Sequence, residues 1–241
     1  MIIISRRTWG ARHAAGFGPA PRATELWLHH SVTPPPADDE AAERAAMRRL
    51  EDIGQDRFGG GISYSFAVAP SGRVYEGTGG LRKGAHTAGR NTVARAIVLI
   101  GDHTRVRPSE PQLWSVAGLV RFGRASGWWS VDRLSGGHRD APGAATACPG
   151  NAAYSLIPVI NSRALESAPD MDLEPAPGVD IRKLQTWLNA MFPSYSRLAV
   201  DGQYGPATNA VVREFQRRSG LAADGVIGPK TLAAMRSLGW R

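Results

Sequence analysis

Between Ser162 and Gly178 the chain reads SRALESAPDMDLEPAPG, a stretch with three prolines, four carboxylates and no apolar periodicity. Proline fixes φ and removes a backbone donor, so a continuous helix or central strand is not expected to cross such a segment. The residues on either side must then bury their apolar surfaces separately. The expected organisation is a domain over residues 1–161, a Pro-rich acidic linker over 162–178 and a small domain over 179–241. With 241 residues, the chain is long enough for two cores.

Composition narrows the class. Hydrophobic residues make up 42% and charged residues 21%, which excludes disordered, collagenous and coiled-coil chains. The single cysteine, Cys148, excludes a disulfide-stapled scaffold. No apolar run reaches the roughly 18 residues that span a bilayer, so no membrane insertion is expected. The opening Met-Ile-Ile-Ile-Ser-Arg-Arg places apolar residues before charges and does not read as a secretory signal.

The net charge is +8, and it is uneven. Residues 179–241 carry nine Lys/Arg against four Asp/Glu. Such a tail attracts polyanions, with nucleic acid and an anionic cell wall as the candidates, although an arginine-rich surface also serves solubility alone. Nucleic acid is disfavoured as a partner. No aromatic residues interleave with basic ones on a strand platform, and no recognition helix is apparent.

In the first domain, strands and helices alternate, which indicates an α/β class. Strands are expected at Glu25–His30, Ile62–Ala69, Arg73–Glu76 and Ala94–Ile100, the last apolar enough to be buried on both faces. Helices are expected at Ala37–Ile53, with Ala42, Ala46, Leu50 and Ile53 inward, at Pro111–Arg124, and after Pro149-Gly150. The second domain contains a duplication. Asp201-Gly-Gln-Tyr-Gly-Pro-Ala-Thr208 and Asp224-Gly-Val-Ile-Gly-Pro-Lys-Thr231 share D-G-x-x-G-P-x-T at an offset of 23 residues. Each is a glycine turn feeding a helix with proline in its first turn. Helices at Asp180–Met191, Pro206–Arg218 and Pro229–Leu238 suit a small all-α three-helix bundle, with Ile181, Leu184, Leu188, Val211, Val212, Phe215, Leu232, Met235 and Leu238 inward.

Three segments carry chemistry: Trp27-Leu-His-His-Ser31, Gly136-Gly-His-Arg-Asp140 and Thr146-Ala-Cys-Pro-Gly150. Neighbouring side chains on a strand point to opposite faces, so one histidine of the pair can join a given site. One of them, with His138 and Cys148, would form a His₂Cys zinc site whose fourth position is open to water, which zinc acidifies to a pKa of about 7. A cysteine nucleophile with a histidine base is the competing chemistry, and spacing alone leaves both open.

Taken in order, further stretches resemble a known family. They are Ile3-Ile-Ser-Arg6 with Trp9-Gly-Ala11, Leu28-His-His-Ser31, Gly61-Ile-Ser-Tyr-Ser-Phe66, Ser71-Gly-Arg-Val-Tyr-Glu-Gly77, Gly84-Ala-His-Thr87 with Asn91, and the two segments around His138 and Cys148. Residues 3–160 resemble the N-acetylmuramoyl-L-alanine amidases (type 2) and peptidoglycan recognition proteins. Residues 179–241 resemble a three-helix peptidoglycan-binding domain. The resemblance implies a central mixed β-sheet flanked by helices, the zinc amidase fold. It implies Zn²⁺ on His29, His138 and Cys148, with His30 turned away from the metal. It assigns Tyr64 and Thr146 to catalysis and His86 and Asn91, with His30, to substrate binding. It implies hydrolysis of the amide between N-acetylmuramic acid and L-alanine, with bacterial peptidoglycan, both stem peptide and glycan, as partner. Relatives often carry Gly-Arg-Gly-Trp where this chain has Gly77-Thr-Gly-Gly80, and some place a glutamate base where Ala94–Ile100 has none. Non-catalytic recognition proteins lose the cysteine that this chain keeps. An amidase with a wall-binding tail and no evident leader resembles a phage endolysin. Such an enzyme is expected to be monomeric and held in the host cytoplasm until a holin opens the way to the wall. A bacterial autolysin and a non-catalytic recognition protein are the alternatives.

Overall fold

The computed structural model describes residues 1, 3–37, 39–165, 179–221, 225 and 227–240. It divides into two compact units, Met1–Ala168 and Pro169–Arg241. The expected linker falls mostly outside the described residues. Its first four, 162–165, are instead the last turn of a helix. Ala164 is buried there, and Arg163 stacks its guanidinium 4.2 Å from the Trp114 ring centroid, so packing holds the helix past the expected boundary.

The first unit runs β1 (Ile3–Ile4), α1 (Arg6–Trp9), β2 (Glu25–His30), α2 (Glu40–Phe58), β3 (Phe66–Val68), β4 (Val74–Glu76), β5 (Ala94–Leu99), α3 (Glu110–Ala125), β6 (Gly136–Gly137), α4 (Asn151–Tyr154) and α5 (Ile157–Leu165). The sheet order is β1-β4-β3-β5-β2-β6. Only the β3–β4 pair is antiparallel, so the sheet is mixed. β5 lies between β2 and β3, and all six of its residues are buried, as its apolar run requires.

Helices cover both faces. Leu26 and Leu28 of β2, Phe66, Val68, Ile97 and Leu99 pack with Leu113, Val116 and Val120 of α3 and Ile160 of α5. On the other face Ala67, Tyr75 and Val98 meet Trp9, Met47 and Leu50. α3 begins at a capping box in which Ser109 and Gln112 bond reciprocally. α2 departs from the expected stripe. It starts at Glu40 because the Asp39 side chain accepts from Ala42 N at 2.7 Å, and it ends at Gly59. Its buried face carries Glu43 and Glu51, while Ile53 is exposed. The carboxylates are held inside by partners: Tyr75 Oη donates to Glu43 at 2.7 Å, and Arg6 pairs with Glu51 at 2.9 Å.

The expected strand 62–69 is shorter, for a reason that matters to the site. The carbonyls of Ser63, Tyr64 and Ser65 accept from Ala85, Thr78 and Gly77, so 62–65 form a bonded loop rather than ladder.

The second unit packs α6 (Ile181–Met191), α7 (Pro206–Arg218) and α8 (Pro229–Ser237) around Leu184, Leu188, Val212, Phe215 and Met235. Leu238, expected inside, is exposed; the last helix stops before it, and Trp240 packs against the cluster. The duplication has a physical basis. Gly202 and Gly225 hold φ of 77° and 75°, the left-handed region that glycine enters without steric cost. Gly202 N–H donates to Gln185 Oε1 at 2.9 Å, and Gln185 Nε2 donates to Thr208 Oγ1 at 3.1 Å. Gly225, Gln216 and Thr231 repeat this at 2.8 and 3.1 Å. Each turn is thus tied by one buried glutamine on the preceding helix.

Candidate metal centre

β2 delivers its side chains to alternate faces. Trp27 and His29 share one; Leu26, Leu28 and His30 share the other. His29 is almost wholly buried. His138 follows β6, the edge strand that pairs with β2, at the start of a short turn over His138–Asp140. Cys148 lies on the turn before α4 and is held by Arg139. Arg139 N–H donates to Cys148 O at 2.9 Å, and the guanidinium bonds Ala147 O and reaches Asn151 Oδ1 at 2.9 Å. Arg139 and Thr146 therefore fix the sulfur: Cys148 N–H donates to Thr146 Oγ1 at 3.1 Å.

The three side chains come together. One ligand atom from each of His29, His138 and Cys148 lies within 4.8 Å of the others. Cys148 Sγ is 3.7 Å from His29 Nδ1, and the His29 and His138 ring centroids are 4.4 Å apart. Tetrahedral zinc, with bonds of about 2.0 Å to nitrogen and 2.3 Å to sulfur, separates such atoms by roughly 3.3–3.6 Å, so the donor set fits the ion. His29 Nε2 is left for a second partner, Thr87 Oγ1 at 3.5 Å, which in turn lies 3.0 Å from His86 Nδ1. A ligating imidazole commonly has its other nitrogen oriented this way. Nothing in the residue types marked Thr87 for this; the contact spans 58 residues of sequence.

The remaining expected residues fall in different places. Tyr64 packs its ring with the centroid 5.4 Å from that of His29. His86 is buried beside His29 at 5.8 Å between centroids. Asn91 acts on the backbone: its Oδ1 accepts from His86 N and Thr87 N, both at 3.0 Å, fixing the turn that presents them. It also lines an open depression of about 390 Å³ with Phe17, Phe58 and Lys83. His30, expected among the substrate-binding residues, does not join this face. Strand alternation turns it away, and its Nδ1 accepts from His103 N–H at 3.1 Å. Gly80, where the resemblance led to an expectation of tryptophan, lies under Trp128, whose ring stands 2.2 Å from where a Cβ would be.

Electrostatics suit coordination. Burial first, then neighbouring histidines, lowers the His29 pKa well below 6.5; burial lowers that of His138. Both rings are therefore neutral donors at pH 7. Burial lowers His86 to about 3, with Arg95 and His138 adding to the shift. Burial pushes the Cys148 thiol up to about 11, so it must lose a proton when a cation binds. Burial, and secondarily Cys148, pushes the Tyr64 phenol up to about 12.

Known proteins similar to this chain fall into one family. Residues 20–151 match the family profile described as N-acetylmuramoyl-L-alanine amidase, and residues 177–235 match a putative peptidoglycan binding domain. A human N-acetylmuramoyl-L-alanine amidase is 34% identical over 163 residues, covering 64% of this chain and 27% of that protein. Peptidoglycan-recognition protein 1 of Holotrichia diomphalia is 37% identical over 120 residues, covering 49% and 60%. This chain thus spans about a quarter of the human relative and 60% of the Holotrichia diomphalia one. Wild-type Drosophila PGRP-LB superposes with a TM-score of 0.60 at 31% identity, over 65% of this chain and 92% of that one.

Proposed function

The chain belongs to the N-acetylmuramoyl-L-alanine amidase family, whose profile covers more than half of it, and from that premise we propose that it is a zinc-dependent peptidoglycan hydrolase. The bond cleaved is the amide joining the lactyl group of N-acetylmuramic acid to L-alanine. One observation carries this reading: a buried imidazole, a half-buried one and the only thiol of the chain bring their ligand atoms within 4.8 Å of one another.

His29, His138 and Cys148 would hold the ion and leave one vertex open. When bound, zinc supplies a Lewis acid for the lactyl carbonyl and an activated water at neutral pH. The chain supplies the rest. Burial keeps the Tyr64 phenol protonated at every working pH, so it donates a hydrogen bond to the developing oxyanion rather than acting as a base. One well-placed donor of this kind contributes about 3 kcal/mol. Thr146, exposed at the rim, accepts from Cys148 N–H and keeps its own hydroxyl hydrogen for the same oxygen. Water adds across the C–N bond: its hydroxyl goes to the carbonyl carbon and its proton to the leaving amine of L-alanine. His86 and the turn fixed by Asn91 flank the stem peptide.

The second unit would anchor the enzyme to its insoluble substrate, consistent with its match to a peptidoglycan-binding domain and its basic charge. This pairing suits a phage-type lysin acting as a monomer, which reaches the wall from the host cytoplasm once the membrane is breached. Cys148 favours a hydrolase over a recognition protein that binds without turnover. The test is mass spectrometry of purified cell wall digested by the zinc-loaded chain. Free L-alanine amines should appear together with intact glycan carrying lactyl carboxylates. New sugar reducing ends, or stem-peptide release by metal-free Cys148→Ser, would refute the reading.

A further inference from the structure

Two buried rings and one hydroxyl stand in a row behind the metal cluster. His29 points Nδ1 at Cys148 Sγ, 3.7 Å away, which leaves its Nε2 facing Thr87 Oγ1 at 3.5 Å. Thr87 Oγ1 lies 3.0 Å from His86 Nδ1. His86 Nε2, at the far end, is buried and has no hydrogen-bond partner among the described residues. A buried nitrogen left in this way calls for an explanation.

The row is held in shape from several sides. Asn91 Oδ1 accepts from the amides of both His86 and Thr87, and Ala85 N–H donates to Ser63 O at 2.9 Å. The His86 ring lies so close to Gly84 that a Cβ there would stand 2.8 Å from its Cδ2. It meets the His29 ring edge-on, at an interplanar angle of 70°. Turning the His86 ring over would offer Thr87 a carbon in place of Nδ1.

Proton counting gives the row a direction. A neutral imidazole has one N–H and one bare nitrogen, and a hydroxyl has one hydrogen to donate. Burial keeps both rings neutral. With a cation on its Nδ1, His29 carries its proton on Nε2 and donates it to Thr87 Oγ1. Thr87 then donates its own hydrogen to His86 Nδ1, which must be bare. His86 is left with its proton on Nε2. Without a cation the opposite order is equally allowed. His86 Nδ1–H donates to Thr87, Thr87 donates to His29 Nε2, and His86 Nε2 is bare.

We propose that Thr87 is a positioning residue that transmits this proton order, so that a metal on His29 makes His86 Nε2 a hydrogen-bond donor. The partner that completes His86 must then present an acceptor, such as a peptide carbonyl oxygen; a bare nitrogen would select an N–H instead. This rests on the zinc reading of the site but not on turnover.

The test is NMR of the histidine ring nitrogens in the full chain, with and without one equivalent of zinc. Their shifts separate bare from protonated nitrogens. In the zinc-loaded chain His86 should show a bare Nδ1 and a protonated Nε2, and His29 a protonated Nε2. Thr87→Val removes the hydroxyl at nearly constant shape. It should leave His86 as a mixture of both tautomers and weaken zinc binding about 10- to 100-fold. Thr87→Ser, which keeps the hydroxyl, should keep both properties. A His86 protonated on Nδ1 in the zinc-loaded chain overturns the proposal. So does a Thr87→Val chain with the wild-type tautomer and zinc affinity. Should Thr87→Val fail to fold, the wild-type and Thr87→Ser spectra decide. The expected tautomers in a chain that binds zinc but cuts no amide would sink the hydrolase reading alone. Amide cleavage with the other tautomer would sink the relay through Thr87 alone.

Discussion

The interior of the unit spanning Met1–Ala168 holds His29, Glu43, Glu51, His86 and Arg95, all nearly or fully inaccessible to solvent. The buried polar side chains described in the other unit are Gln185, Ser196, Thr208, Gln216 and Thr231, none of them ionisable at neutral pH. Burying an ionisable group is costly, and the first unit meets that cost with specific partners: Arg95, for example, donates to the carbonyls of Pro21, Gly80 and Ala94. The second unit satisfies neutral amides twice over with one repeated geometry. The contrast separates a unit whose interior holds ionisable groups, as the proposed metal and proton chemistry requires, from one whose interior is apolar and neutral.

The largest expected effect strikes only the first unit. Cys148→Ser should abolish zinc binding and lower amide hydrolysis by on the order of 10³ or more, while retention on purified wall stays as before. Zinc content and wall pull-down measured on the same preparation check this; a parallel loss of wall retention would break the division of labour. The reverse experiment removes residues 179–241. Retention on insoluble wall should fall by about 10²–10⁴, with cleavage of small soluble muropeptides unchanged. Equal losses on both substrates would count against an anchoring unit.

Smaller effects sharpen the comparison. Tyr64→Phe should cost about 10- to 1000-fold in rate with zinc stoichiometry intact, because the proposed role of the phenol is to donate to the transition state and not to ligate the metal. An unchanged rate removes Tyr64 from catalysis. Acid should act on the units unequally. The folded pKa of His86 is about 3, below its ordinary 6.5. As pH falls from 6.5 toward 3, the unfolded metal-free chain takes up a proton that the folded unit refuses. Stability therefore declines with acid in that window, by up to about 1.4 kcal/mol per pH unit. Denaturant unfolding followed by hydrogen exchange should show this slope in the first unit, reduced in His86→Gln, and a flatter response in residues 179–221. The same slope in both units would contradict the contrast.

How much of this was legible in the sequence follows the same line. β5 and α3 were plain, because continuous or periodic apolar residues have one place to go. α2 was misread at its inward face, because Glu43 and Glu51 look like surface residues until Tyr75 and Arg6 arrive from elsewhere in the chain. The D-G-x-x-G-P-x-T turns were visible at their offset of 23 residues, but the glutamines that tie them are 31 apart and share no local motif. At the site, residue types pointed to one histidine of the pair with His138 and Cys148, and the family resemblance selected His29. Thr87, Arg139 and His103 were silent, since each acts through a backbone or second-partner contact that only the folded chain creates.

The most direct test of the central claim is X-ray absorption at the zinc edge on the chain loaded with one equivalent of zinc. The account predicts one sulfur near 2.3 Å and two imidazole nitrogens near 2.0 Å, plus one light atom completing about four neighbours. A first shell without sulfur, or one unchanged in Cys148→Ser, would contradict it.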